Sequence, residues 1–187
     1  VILFAGAGFA ACSDDDLMTY EDVSRIYFAY ADSDGKNEEA RVQMSVAALE
    51  AGISFNNASV TLIHGMSRPI GALFHVAHGL SNAMLIKECL GFALEGAYDR
   101  FADLGRNIGV ASADDSDKEA SEKFLNAVVS LTEELETPTL AEFGIDKDAF
   151  WSVIEKMAHD AMESGSPQNT KKEITQADIE LMYRNLW

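Results

Sequence analysis

Apolar residues recur at steps of three and four positions along most of the chain after residue 16. The segment from about Glu38 to Ile53 shows the spacing clearly, with an apolar stripe made by Val42, Val46, Leu49 and Ile53 and with alanines for close helix packing at Ala47, Ala48 and Ala51. This period is typical of an amphipathic α-helix. No later segment alternates convincingly between apolar and polar residues, so the pattern predicts an all-α fold.

The same spacing predicts a helix that begins at about Thr19 and helices over residues 82–93, 98–104 and 118–135. Two more helices are predicted near the C-terminal end, each after a capping residue. Those residues are Asp146 and Thr175, whose short polar side chains suit a helix N-cap. Pro69 and Gly71 are expected to break the helix between His64 and His78. Burial around this segment is predicted for Phe55, Leu62, Ile63, Leu73 and Phe74.

The N-terminal stretch VILFAGAGFAAC resembles a dinucleotide-binding glycine turn and also the end of a lipoprotein signal. The acidic SDDD that follows, and the lack of a second strand with an acidic end, disfavour the first interpretation. An initiator Met and a basic segment are not present to support the second. We therefore interpret residues 1–17 as an unassigned apolar segment and residues 18–187 as one helical domain.

The composition and charge of the chain disfavour some classes of binding partner. The chain has 187 residues, 48% of them hydrophobic, and a formal net charge of −17. Such a surface repels phosphate backbones, so no nucleic-acid binding is expected. No apolar run reaches the ~18 residues of a membrane span, so no membrane partner is expected. Cys12 and Cys89 are predicted to be reduced structural residues of a cytoplasmic protein.

Histidines cluster in the stretch HGMSRPIGALFHVAHGLSNAML (64–85), which holds His64, His75 and His78. Two short helices folded against each other could aim His64 and His78 at one point, and neutral imidazole is a common ligand of divalent transition metals. A local pair of His75 and His78, three residues apart on a helix, is an alternative. Hydrogen-bonded structural histidines in a helix–loop–helix are another, and spacing alone leaves all three open.

The segment FNNASVTLIHGMSRPIGALFHVAHGLSNAML (55–85) closely resembles the signature of the iron-containing alcohol dehydrogenases. The matching positions are His64, Gly71-Ala72, His78-Gly79 and Asn82-Ala83. Outside it, EARVQMSVAALEAGISFNNA, YDRFADLGRNIG, ETPTLAEFGID and the C-terminal DAMESGSPQNTKKEITQADIELMYRNLW resemble further segments of the family in the same order. The resemblance covers roughly residues 18–187.

This resemblance implies the C-terminal helical domain of an enzyme whose N-terminal α/β domain binds NAD(P). His64 and His78 would be two of four ligands to Fe²⁺ or Zn²⁺. Independently of the resemblance, we note His75 as a candidate residue toward substrate or around the ligands. The other two ligands in the family, an Asp and a His, fall at or just before Val1. The implied substrate is a small alcohol or aldehyde, oxidised by hydride transfer to the nicotinamide with the metal acting as a Lewis acid. A homodimer is the implied assembly.

Two positions depart from the family pattern. Arg68 stands where many members carry a second histidine, and it is a candidate catalytic residue that would face the nicotinamide, a phosphate or an acidic substrate. A surface ion pair is the other interpretation of Arg68. Ala77 replaces a proline before the second metal histidine, which is a mild change.

Neither a pyrophosphate-binding glycine turn nor the family's Asp and His ligands is apparent in these 187 residues. We therefore expect this polypeptide, on its own, to bind metal weakly and to be inactive without a nucleotide-binding domain. The competing hypothesis is a diverged stand-alone helical domain that acts as a binding or assembly module without catalysis.

Overall fold

The computed structural model describes residues 37–187, and this part of the chain contains eight α-helices and no strand, which confirms the all-α prediction. The predictions for VILFAGAGFAAC, for Cys12 and for the helix from Thr19 lie outside the described residues. The helices are α1 (Glu38–Ala58), α2 (Leu62–Phe74), α3 (His78–Leu94), α4 (Tyr98–Asn107), α5 (Asp117–Glu134), α6 (Lys147–Ser152), α7 (Ile154–Glu163) and α8 (Gln176–Asn185), with a 3₁₀ turn at Pro167–Asn169.

Between residues 37 and 187, no single helix is both long and apolar enough to cross a membrane. Only α1 and α2, counted together across the sharp bend between them, have the length and composition of a span.

Both N-caps predicted near the C-terminal end are confirmed. Asp146 precedes α6, and its carboxylate accepts a hydrogen bond of 2.8 Å from the backbone N–H of Ala149. Thr175 precedes α8 in a reciprocal capping box. Its hydroxyl accepts from the N–H of Asp178, whose carboxylate accepts from the N–H of Thr175 at 2.8 Å. Each side chain satisfies an N–H that the first helical turn leaves without a backbone partner.

The break between α2 and α3 lies later than predicted. Pro69 is buried inside α2, so the prediction that Pro69 and Gly71 interrupt the helix is wrong. The helix tolerates the loss of one backbone hydrogen bond, which would have reached the carbonyl of Gly65. It ends at His75, which adopts the left-handed conformation (φ 55°, ψ 28°) while its N–H donates to the carbonyl of Gly71. The extended Ala77 then leads directly into α3.

One compact unit comprises Val60–Tyr98 and Leu125–Trp187. Within it α2 packs against α3 and α7, and α8 packs against α7. Phe150 is completely buried and its ring lies 5.3, 5.8 and 5.7 Å from those of Phe74, Tyr183 and Trp187. The Tyr183 hydroxyl donates a 2.7 Å hydrogen bond to the carbonyl of Met66. This aromatic cluster therefore fixes α2 against the C-terminal helices.

Burial around α2 follows the prediction only in part. Leu62 and Ile63 are buried, as predicted, and Phe74 is half-buried against Phe150. Phe55 and Leu73 are 47% and 40% exposed, so their predicted burial is wrong.

The second unit includes residues 37–59 and 99–124. Phe101 of α4 and Phe124 of α5 place their rings 5.9 Å apart. A Cβ atom on Gly105 would lie 2.7 Å from the carbonyl oxygen of Ala120, so glycine permits the close approach of α4 and α5. Arg106 Nη2 donates to the carbonyl of Asp115 at 2.8 Å, which anchors the connection between them.

The buried face of α1 is its small-residue face. Ala40, Ala47, Ala51 and Ser54 are buried. The apolar stripe predicted from spacing is instead exposed, at Val42, Val46, Leu49 and Ile53. A helix rich in alanine carries apolar surface all round, so the period alone did not identify the face that is covered.

The start of α2 is held by the segment around the 3₁₀ turn. The N–H of Leu62 donates to Thr170 Oγ1 at 3.3 Å, and Asn169 Nδ2 donates to the carbonyl of Val60 at 2.9 Å. A Cβ atom on Gly65 would lie 2.8 Å from both Cγ and Cδ of Pro167, which is closer than van der Waals contact allows. Glycine at position 65 therefore sets how closely α2 approaches Pro167.

We expect Gly65→Ala to lower the free energy of unfolding by about 1–3 kcal/mol, because the rigid proline ring cannot move aside as a flexible side chain would. Urea denaturation measures the loss. Gly52→Ala in α1 is the matched control, because nothing lies within 4 Å of its Cβ position. That change should be neutral or stabilising by up to about 1 kcal/mol through helix propensity. Equal behaviour of the two variants would contradict the contact.

Candidate metal centre

The α2–α3 reversal brings two of the predicted histidines together. His64 lies in the first turn of α2, and His78 is the first residue of α3. Their ring centroids are 5.2 Å apart and the ring planes are inclined by 53°. Residues fourteen positions apart therefore present imidazoles to a common region.

A serine three residues after each histidine is buried and bonds back to it. Ser67 donates to the carbonyl of His64 at 3.3 Å, and Ser81 donates to the carbonyl of His78 at 3.0 Å. Both hydroxyls are fully buried. Each serine thus satisfies its hydroxyl within its own helix and leaves the histidine ring for other partners.

Asn82, one turn after His78, orients the second ring. Its Nδ2 lies 3.1 Å from His78 Nε2, and its side chain is buried. Its Oδ1 is buried without a hydrogen-bond partner in the described structure. Such a neighbour fixes the ring angle and tautomer of a histidine ligand. A cation that takes Nε2 of His78 competes with this amide for the same lone pair.

His64 is held in its neutral form at pH 7. Its pKa is lowered from 6.5 to about 4, first by burial and then by its electrostatic interactions with His78 and Arg68. Burial disfavours the charged imidazolium because the interior solvates charge poorly. A neutral imidazole keeps a nitrogen lone pair available for a metal ion.

Arg68 lies one helical turn after His64 and is exposed. Its Nη1 donates to the hydroxyl of Ser166 at 3.2 Å, and Ser166 itself is buried. Within residues 37–187, no carboxylate lies at salt-bridge distance from the guanidinium, so the surface ion pair considered for Arg68 is not observed there.

His75 and His78 do not lie on one helix face. It ends α2 in an exposed, left-handed position, whereas His78 begins α3. The alternative of a local pair on one helix is therefore wrong. A role for His75 toward substrate remains a prediction.

The rest of the described chain adds no further ligand cluster. Residues 37–187 contain no group of three or more His, Cys, Asp or Glu side chains arranged to hold a metal ion. Cys89 is a free, buried thiol whose Sγ lies 3.5 Å from Met66 Sδ, and burial raises its pKa. It is an apolar core residue, not a metal ligand.

Comparison with known proteins identifies the family of the chain. The profile described as Fe-containing alcohol dehydrogenase family, C-terminal, matches residues 16–187. This chain belongs to that family. The match includes α2, α3 and both histidines, and it corresponds to the family's helical C-terminal domain.

Curated relatives in the family are longer proteins. The chain is 28% identical over 158 residues to a choline dehydrogenase of Bacillus subtilis (strain 168), a match that covers 84% of this chain and 38% of that protein. It is 29% identical over 152 residues to an NADPH-dependent butanol dehydrogenase of Clostridium saccharobutylicum, covering 79% and 39%. The chain thus spans about two-fifths of the length of these relatives.

Solved structures of the family share the fold. An iron-containing alcohol dehydrogenase from Thermococcus thioreducens superposes with a TM-score of 0.80 at 27% identity, covering 99% of this chain and 48% of that one. A 1,3-propanediol oxidoreductase gives 0.79 at 26% identity, covering 90% and 43%.

Several residues that shape this family member's site were not predicted from the sequence. Ser166 and Pro167 contact α2 from a segment almost a hundred positions away, and Ser67 and Ser81 bond to the histidine carbonyls. The serines do carry a local signal, because each follows its histidine by three positions. Ser166 carries no such local signal, because its contact with Arg68 depends on tertiary packing.

The lowered pKa of His64 predicts how stability depends on pH. Since the folded pKa of about 4 lies below the ordinary 6.5, the unfolded state binds the proton more tightly. The free energy of unfolding should therefore fall as pH decreases from about 6.5 through about 4. His64→Gln removes this contribution, so the stability of the native chain relative to that variant should decrease steadily over the window. Urea denaturation at intervals from about pH 7 to about pH 4 measures the difference.

Val76→Ala provides the control for that experiment. Val76 is buried between α2 and α3 but does not titrate, so its destabilisation should not change with pH. If the difference in free energy of unfolding between the native chain and His64→Gln is also independent of pH, His64 is not protonated more readily on unfolding.

Proposed function

We propose that this chain is the metal-binding helical part of an NAD(P)-linked alcohol dehydrogenase, with His64 and His78 as two of the metal ligands. The single observation that carries the proposal is the proximity of these two rings, 5.2 Å between centroids, in a member of the iron-containing family. The names of its relatives, which act on choline, butanol and 1,3-propanediol, support a small alcohol or its aldehyde as substrate.

The donor chemistry of the pair suits Fe²⁺ or Zn²⁺. Imidazole nitrogen is a borderline ligand that binds both ions, and His64 is neutral well below pH 7. Two imidazoles provide half of a four-ligand shell. In the family that this chain resembles, an Asp and a His complete the shell. Once bound, the ion supplies Lewis-acid activation of the substrate oxygen.

The residues of this chain then have distinct tasks. His64 and His78 would hold the ion, and Asn82, which orients the ring of His78 in the absence of metal, would give up its contact with Nε2 to an ion that binds that nitrogen. Buried packing of Leu62, Met66 and Ile70 keeps α2 in place, so that His64 does not drift from its partner. Placement of this kind matters, because a shift of about 1 Å between reacting groups can reduce the rate about a hundredfold.

We expect a chimera to show alcohol oxidation. In it, a nucleotide-binding domain from a family member, carrying that family's Asp and His ligands, is fused ahead of residue 18. With Fe²⁺ or Zn²⁺ added, it should reduce NAD⁺ or NADP⁺ in the presence of short alcohols. His64→Ala or His78→Ala should abolish turnover, because each removes a ligand. Absorbance of the reduced nicotinamide over a panel of alcohols provides the readout.

His159→Ala is the matched control, since His159 is an exposed histidine on α7 with Asp160 as its neighbour. It should leave turnover unchanged. Turnover that survives loss of both His64 and His78 would refute the proposed ligands. A correctly folded chimera that binds metal but never oxidises an alcohol would favour a non-catalytic helical module.

A further inference from the structure

We propose that Arg68 binds an anionic group of the substrate, so that the site prefers short hydroxycarboxylates and the matching aldehyde acids over neutral alcohols. This inference rests on the proposed function, which places the reacting oxygen near His64 and His78. It concerns specificity and not the metal itself. Three observations carry it: the position of Arg68, its hydrogen bonding and the local charge.

The position of Arg68 puts its side chain beside the candidate metal ligands. It follows His64 by four residues in a continuous helix, and such residues share one helix face. Its charge is close enough to contribute to the lowered pKa of His64. One helical turn corresponds to a rise of about 5.4 Å. An anion on Arg68 and an oxygen near His64 therefore fit one molecule with only a few carbons between them.

Hydrogen bonding leaves the guanidinium anchored but not neutralised. Ser166 accepts from Nη1 at 3.2 Å, and Ser166 is held in turn because its N–H donates to Ser164 Oγ. A serine hydroxyl carries no charge, and within the described part of the chain no carboxylate reaches the guanidinium. Most of the N–H donors of Arg68 thus remain available at an exposed position, in the fork geometry that binds a carboxylate through two hydrogen bonds.

Local charge favours an anion despite the acidity of the chain. The formal net charge is −17, yet Arg68, whose guanidinium is permanently positive, is one of the groups that lower the pKa of His64. Because the protein as a whole is strongly acidic, it does not attract anions over a long range. Arg68 binds an anion only through its short-range contact with the guanidinium. Arg68 therefore supplies a permanent positive charge beside the histidine pair.

A carboxylate of the substrate and a phosphate of the cofactor share this anionic chemistry. Hydride transfer requires the nicotinamide ring at the reacting carbon, and a ribose separates that ring from the nearest phosphate. An arginine one turn from the metal ligands is thus closer to the substrate than to the phosphate. We assign Arg68 to the substrate carboxylate.

NMR of the uniformly ¹⁵N-labelled 187-residue chain tests the assignment without metal or turnover. The Arg68 Nε–H resonance is identified by its loss in Arg68→Gln. At constant ionic strength, 3-hydroxypropionate should shift it saturably, whereas 1-propanol should not. Arg68→Gln should weaken binding roughly tenfold or more, and Arg68→Lys should restore part of it, since lysine keeps the charge but loses the fork. Arg100→Gln, a change at an exposed arginine of α4, should leave binding unchanged.

A titration with nicotinamide mononucleotide tests the alternative that Arg68 binds a phosphate of the cofactor. Binding of this phosphate through Arg68 without binding of 3-hydroxypropionate would overturn the assignment, as would equal affinity of the native chain and Arg68→Gln. Because the titration needs no metal, it should survive His64→Ala, which separates this inference from the metal proposal. In an active chimera, Arg68→Gln should raise KM for the hydroxycarboxylate at least about tenfold with little change in kcat. An equal loss on 1-propanol would indicate a structural role and refute the specificity.

Discussion

The close contact between α2 and the Ser166–Thr170 segment is the constraint on which the candidate site depends. Gly65 meets Pro167 without room for a side chain, Thr170 receives the N–H of Leu62, and Ser166 receives Arg68. These contacts fix both the depth and the rotation of α2. Since His64 is rigidly attached to the first turn of this helix, the same contacts decide where its ring lies. The reversal at His75 then brings α3 and His78 to it.

Burial and charge act together on the histidine pair. Desolvation is the larger cause of the lowered pKa of His64, and electrostatic interactions with His78 and Arg68 add to it. The site therefore holds an uncharged imidazole beside a permanently charged guanidinium. Under the two proposals this combination would suit a metal ion and an anionic ligand at once, because the first needs a lone pair and the second a positive charge. Hydrogen bonds from Ser67 and Ser81 stay within the helices and compete with neither.

Local signals in the sequence predicted the elements well. Apolar periodicity located the helices, and the short polar side chains of Asp146 and Thr175 located two helix starts, because capping depends on residues only three positions apart. Spacing left the proximity of His64 and His78 as one of three alternatives, because the place where the intervening helix ends was not predicted correctly. The resemblance to the iron-containing dehydrogenases agrees with the family match.

Predictions failed where tertiary packing overrides local preference. Pro69 stays within a helix that neighbouring helices stabilise, and the helix ends instead at His75. The left-handed conformation of His75 could not be predicted from its residue type. The buried face of α1 carries alanines instead of the larger Val42 and Leu49. Ser166 is separated from Arg68 by 98 positions, so no local pattern could pair them.

The central claim is that His64 and His78 bind one metal ion, and X-ray absorption on the Zn²⁺-loaded chain tests it most directly. The account predicts two imidazole scatterers with Zn–N distances of about 2.0–2.1 Å, the remaining ligands being oxygen. One imidazole should disappear in His64→Ala and one in His78→Ala, while His75→Ala should keep both. A spectrum with only oxygen ligands, or one that is the same after loss of His64, would contradict the claim.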